Sequence, residues 1–185
     1  MKIVENEAFL TKMAAHGIHL DTRFGAPQCL MMENERRLAL PFATDSFKSA
    51  RLIEVLWRQF ADGCYVWKRG GVWKLNAPQY AHYWTNAYKA LLEKLAPIHG
   101  PYTLHVEPDD WNFFGLILTG AVLGASSVSD DLFLVAPDGA RLVWVDHDGY
   151  LFYSFRKNDS LDPFYVEMLE FCDAPKPENK SGERS

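Results

Sequence analysis

Residues 130–154, DDLFLVAPDGARLVWVDHDGYLFYS, decide the fold. Three runs rich in β-branched and aromatic residues, 131–136, 141–147 and 150–155, are separated by Pro137-Asp138-Gly139 and by Asp148-Gly149. Those separators are turn formers, because glycine reaches positive φ without strain and aspartate bonds its own backbone. The pattern predicts three strands in an antiparallel meander. In the middle run Leu142 and Trp144 fall on one face, Val143 and Val145 on the other. Both faces are apolar, so both must be covered. Helices can cover one face; the other needs more protein, from this chain or from a partner.

The segments upstream supply candidates. YTLHV at 102–106 reads as a strand, and 109–123 is read as a helix opened by Asp109 and Asp110, although Gly115, Gly120 and Gly124 weaken it. A helix is expected over 78–95, with Pro78 in its first turn and Tyr80, Trp84, Ala87, Leu91 and Leu95 as its stripe. Before it, Tyr65 and Trp67 alternate, Gly70-Gly71 can turn the chain, and Trp73 and Leu75 alternate again, which is a hairpin signal. Thr44 or Asp45 can cap a helix whose stripe reads Phe47, Ala50, Ile53, Trp57 and Phe60, with Glu54 and Arg58 paired on its wet side and Gly63 after its end. Residues 28–33 and 36–42 read as short strands around Asn34-Glu35, and a first helix runs from Asn6 to His16, stopped by Gly17. Residues 162–171 suit a last short helix. The expected fold is α+β, with helices packed on an antiparallel sheet that ends in the three-stranded meander. It forms one domain over 1–172, followed by a flexible polar tail at 173–185.

Bulk composition narrows the functional class. A chain of 185 residues, 48% apolar, can bury a core without staples. Cys29, Cys64 and Cys172 form no CxxC pair, so they read as reduced thiols of a cytoplasmic protein. The N-terminus has no secretory h-region, and the longest apolar run, 113–126, is too short for a membrane span. Residues 44–100 carry eight Lys/Arg against four Asp/Glu, whereas 101–172 carry three against twelve. Such an acidic half repels nucleic acid and attracts a basic partner. The six Trp suit a core and also suit interface anchors.

Motifs for catalysis are thin. Asp146-His147-Asp148 places an imidazole between carboxylates, but neighbours on a strand point to opposite faces, and Asp148-Gly149 is already explained as a turn. A metal-dependent or hydrolytic enzyme using His147 and Asp146 is the alternative reading. His16 and His19 lack the further ligands of a metal set, and His16 suits a helix C-terminus. No dinucleotide fingerprint, phosphate loop or GxSxG elbow is present. Lys68, Arg69 and Lys74 around Trp67 and Trp73 make too small a basic patch for a nucleic-acid site in an acidic chain. No cofactor and no metal is expected.

An acidic start, a strand, a turn, a second strand ending in Asp-His, and a third strand, after a helix-rich and Trp-rich half, resemble small bacterial immunity proteins of polymorphic or contact-dependent toxin systems. The resemblance covers about 25 residues. It implies a cytoplasmic, non-catalytic protein that binds and neutralises one cognate toxin. An adaptor or chaperone for a secreted effector is a further class. The contact residues expected on charge and aromatic character are Asp130, Asp131, Asp146 and Asp148, with Trp111 and Tyr150 as anchors.

Overall fold

The structure is a computed structural model. It describes residues 1–21, 29–41, 45–69, 101–110, 112–115, 117–118, 131–146, 148–156, 166–168 and 170. The expected second arm of the hairpin, the helix over 78–95 and the tail lie outside the described residues, as do Asp130, Trp111 and His147. The strands are β1 (Lys2–Glu5), β2 (Ile18–Asp21), β3 (Cys29–Met32), β4 (Glu35–Pro41), β5 (Cys64–Lys68), β6 (Tyr102–Val106), β7 (Leu132–Val135), β8 (Leu142–Val145) and β9 (Tyr150–Arg156). Two α-helices, α1 (Asn6–Ala15) and α2 (Ser46–Gln59), accompany them. Residues 112–115 and 117–118 are helical too, after a 3-10 turn at Pro108–Asp110, so the described part of 109–123 is helix as expected.

Seven strands form one sheet in the order β1-β6-β5-β7-β8-β9-β4, and β2 pairs with β3 in a separate ribbon. Every described pairing is antiparallel. The meander is as read from the sequence: Phe133 faces Trp144, and Trp144 faces Phe152. The strands at 29–32 and 35–41 do flank a turn, with Asn34 at φ 54, but they do not pair with each other. β3 joins β2, and β4 crosses to the far edge of the large sheet beside β9. The short strands β1 and β2 were not anticipated.

This chain covers the first sheet face and, over β5, β7 and part of β8, the second. On the first, Val66, Leu104, Leu134, Val143, Val145 and Tyr153 meet Leu52, Val55, Leu56 and Phe60 of α2. On the second, Tyr65, Trp67, Phe133, Val135 and Leu142 meet Phe9 and Met13 of α1 and Ile18, Leu30 and Met32 of the ribbon. The alternation read in β8 therefore divides two separate cores.

Helix α2 begins where its capping residue dictates. Asp45 accepts from the backbone N–H groups of Phe47 at 2.8 Å and Lys48 at 3.0 Å. Its buried face is about one residue round from the expected stripe. Ser49, Leu52, Val55, Leu56, Gln59 and Phe60 are buried, whereas Phe47 is 74% exposed. The expected Glu54–Arg58 pair is replaced by Arg51–Glu54 and Arg58–Glu167. Gly63 follows the helix at φ +99, and a Cβ there would stand 2.7 Å from the Val106 carbonyl oxygen, so β5 can enter the sheet beside β6 only with glycine at this corner. Gly139, in the β7–β8 turn, has φ +70 and packs so closely on His16 that a Cβ would lie 2.4 Å from it. That contact, with the Arg156 guanidinium donating to the His16 carbonyl at 2.7 Å, ties the end of α1 to the sheet. His16 thus serves the helix C-terminus.

Candidate protein-binding site

Alternation along four adjacent strands lines up one row of rings on the second face. Trp67 of β5 faces Phe133 of β7, Phe133 faces Trp144 of β8, and Trp144 faces Phe152 of β9. Centroid separations along the row are 5.1, 5.4 and 4.4 Å. The last two contacts are stacked, an arrangement favoured between aromatic rings and across strands. Tyr150, two residues before Phe152 and on the same face, continues the row at 6.2 Å.

Exposure rises along this row. Trp67 and Phe133 lie fully buried beneath α1 and the ribbon. Trp144 and Phe152 are half-buried, and Tyr150 is 44% exposed. Edge strand β4 extends the apolar surface, since Ala39, itself exposed, faces Phe152 and Pro41 faces Tyr150. Arg37 borders it, its guanidinium 5.5 Å from the centre of a Trp144 ring. That guanidinium also donates to the Leu30 carbonyl at 3.1 Å, to Ser154 Oγ at 3.2 Å, and pairs with Glu35 at 3.0 Å. The Trp144 indole N–H is buried without a hydrogen-bond partner among the described residues.

The acidic residues singled out in the sequence divide by environment. Asp131, Asp146, Asp148 and Tyr150 do gather at one end of the sheet, where β7 and β9 begin and β8 ends. Asp131, however, is 1% exposed and bound to Arg69 at 2.6 Å, so it is a structural ion, which corrects its reading as a surface charge. Asp146 is also buried; its carboxylate accepts the Asp148 N–H at 2.8 Å and holds the β8–β9 turn. Asp148 and Tyr150 are exposed. Asp110, the neighbour of Trp111, pairs with the Met1 ammonium past the end of β6, at the opposite end of the sheet. The rings of Trp144 and Phe152 and the edge residues Ala39 and Pro41 were missed as surface; the Tyr150/Phe152 alternation was the signal that could have found them.

Among the described residues no group of three His, Cys, Asp or Glu side chains could hold a metal ion, and no helix is long and apolar enough to cross a membrane. His19 Nε2 lies 2.8 Å from Glu33 Oε1 on the ribbon. Cys64 is buried, and burial pushes its thiol well above the ordinary range, which keeps it protonated and unreactive. No protein family, no curated protein and no solved structure matches the chain.

Proposed function

We propose that the chain is a protein-binding inhibitor of the immunity type, cytoplasmic, which engages its partner toxin through the open end of the aromatic row. The observation that carries this reading is the passage of one stacked row from full burial at Trp67 to 44% exposure at Tyr150, beside the exposed acid Asp148. Rings held by stacking lose little freedom on binding, and half-buried aromatics that a partner can finish covering are the usual energetic centre of an interface. The net negative charge of 101–172, three Lys/Arg against twelve Asp/Glu, supports a basic partner drawn in by long-range attraction.

The test begins with capture of partners on the wild-type chain and on Tyr150→Ala as parallel baits, with unchanged melting temperature as the control. For a partner retained only by the wild type, surface-plasmon kinetics should show Tyr150→Ala raising the dissociation rate about 30-fold, the equivalent of an anchor contributing about 2 kcal/mol. Asp148→Lys should slow association, with less effect at high salt. Expression of that partner should poison a bacterial cell, and co-expression of the wild-type chain should protect it. Binding that ignores both substitutions sinks the site. A partner that is harmless to the cell sinks the immunity reading while leaving the site standing.

A further inference from the structure

Where α1 crosses β5 and β6, at a distance from β8 and β9, three polar side chains converge with no carboxylate among them. Lys12 Nζ, on the exposed side of α1, donates to Tyr65 Oη at 2.8 Å and lies 4.9 Å from the centre of the Tyr65 ring. His105 faces Tyr65 in register, and the two rings stack at 4.6 Å. Lys2 faces His105 across β1 and β6, but it is engaged by Glu107, and the Met1 ammonium is engaged by Asp110. The two carboxylates of this corner are thus taken. Lys12 has no acidic partner among the described residues, and its one hydrogen-bond acceptor is a neutral phenol.

The donor count at this corner is one-sided. An ammonium has three N–H groups, and Tyr65 takes one of them. Because the phenolic oxygen accepts that bond, its own proton is left to donate, from a residue only 6% exposed. Burial holds His105 below the usual imidazole range; Glu107 opposes this, and Lys12, Lys2 and the Met1 ammonium reinforce it. A neutral imidazole still offers one ring N–H. Lys12 thus keeps two ammonium protons and Tyr65 its phenolic proton, with the His105 ring stacked on Tyr65 beside them.

We propose that Lys12, Tyr65 and His105 form a binding site for an oxyanion group, a carboxylate or a phosphate. Such a group accepts charge-assisted hydrogen bonds from all three and supplies the negative charge that Lys12 lacks. It also brings negative charge near His105, so the imidazole takes up a proton more readily when the site is filled. This site is independent of the toxin-binding surface.

The measurement is an NMR titration of the histidine rings of the full chain in sodium phosphate, sodium acetate and sodium chloride at matched ionic strength. Phosphate should raise the His105 midpoint by about half a pH unit or more over chloride, while His16 and His19 stay put. Acetate raising it equally identifies a carboxylate-accepting site, and phosphate alone raising it identifies a phosphate site. Lys12→Met, at an exposed position that leaves the fold intact, should abolish the rise, and Tyr65→Phe should reduce it. Identical midpoints in the three salts, or a rise that survives Lys12→Met, overturn the proposal.

Discussion

Gln59 is the residue most at odds with its surroundings. It lies on the buried face of α2, 5% exposed, and neither polar atom of its amide has a hydrogen-bond partner among the described residues. A buried amide without partners costs about 1–3 kcal/mol, so Gln59→Leu should raise stability by about 1–2 kcal/mol in urea unfolding; a loss would show the amide to be bonded. Asp131 is the opposite case. Removing it strands the Arg69 charge, and Asp131→Ala should destabilise by about 2–3 kcal/mol, less than for a fully buried pair because Arg69 keeps some solvent. Asp148→Ala, at an exposed turn position, should stay within about 0.5 kcal/mol. His105 makes stability depend on pH. Its folded pKa is lowered, first by burial, so the unfolded chain binds a proton before the folded one. Stability is then full above the free imidazole value of about 6.5 and declines as pH falls through it toward the folded pKa. In chloride buffer the urea midpoint should drop more between pH 7.5 and pH 5 in the wild type than in His105→Gln. Equal drops would remove His105 as the cause.

At the scale of elements, α2 shows where sequence patterning misleads. The helix carries two stripes that meet at Phe60, and the sequence points to the more apolar one, Phe47, Ala50, Ile53, Trp57 and Phe60, as the core face, of which Phe60 is buried. The buried face includes the polar Ser49 and Gln59, which dilute its signal. Ile53 and Trp57 still pack at the margin of the core, and Trp57 meets Phe114 at 5.2 Å. Phe47→Ser should consequently leave stability within about 0.5 kcal/mol. Leu56→Ala should cost about 3 kcal/mol, the usual price of a fully buried leucine. Matching losses at the two positions would return the core to the expected stripe. The meander, the capped start of α2 and the strand at 102–106 were legible because each rests on local chemistry: turn residues, a capping aspartate, alternation. Strands β1 and β2, KIVE and IHLD, were not legible, since each has four residues with charged or polar members. The partner that makes β1 a strand lies a hundred residues away. Of the residues expected on the candidate surface, Tyr150 and Asp148 are exposed, whereas the burial of Asp131 and Asp146 depends on neighbours that no local pattern names.

Across the whole molecule, a single sheet serves both cores, because alternate residues of β5, β7 and β8 belong to opposite faces. Neither core can loosen without disturbing strands that the other needs, so unfolding should be one cooperative transition. Phe9→Ala, under α1, should shift tryptophan fluorescence and far-ultraviolet dichroism midpoints together; two separated transitions would show that the cores melt independently. The strand order has a further consequence during synthesis. Both edges of the sheet, β1 and β4, come from the first 41 residues, while β4 finds its partner only when residues 150–156 emerge. A ribosome therefore releases β1 with nothing to pair with until residues 102–106 emerge, and β4 with nothing until residues 150–156 do. Pairings that span so much sequence close slowly. Strand β4 accordingly spends most of translation as an exposed client for whatever guards unpaired strands in the cell.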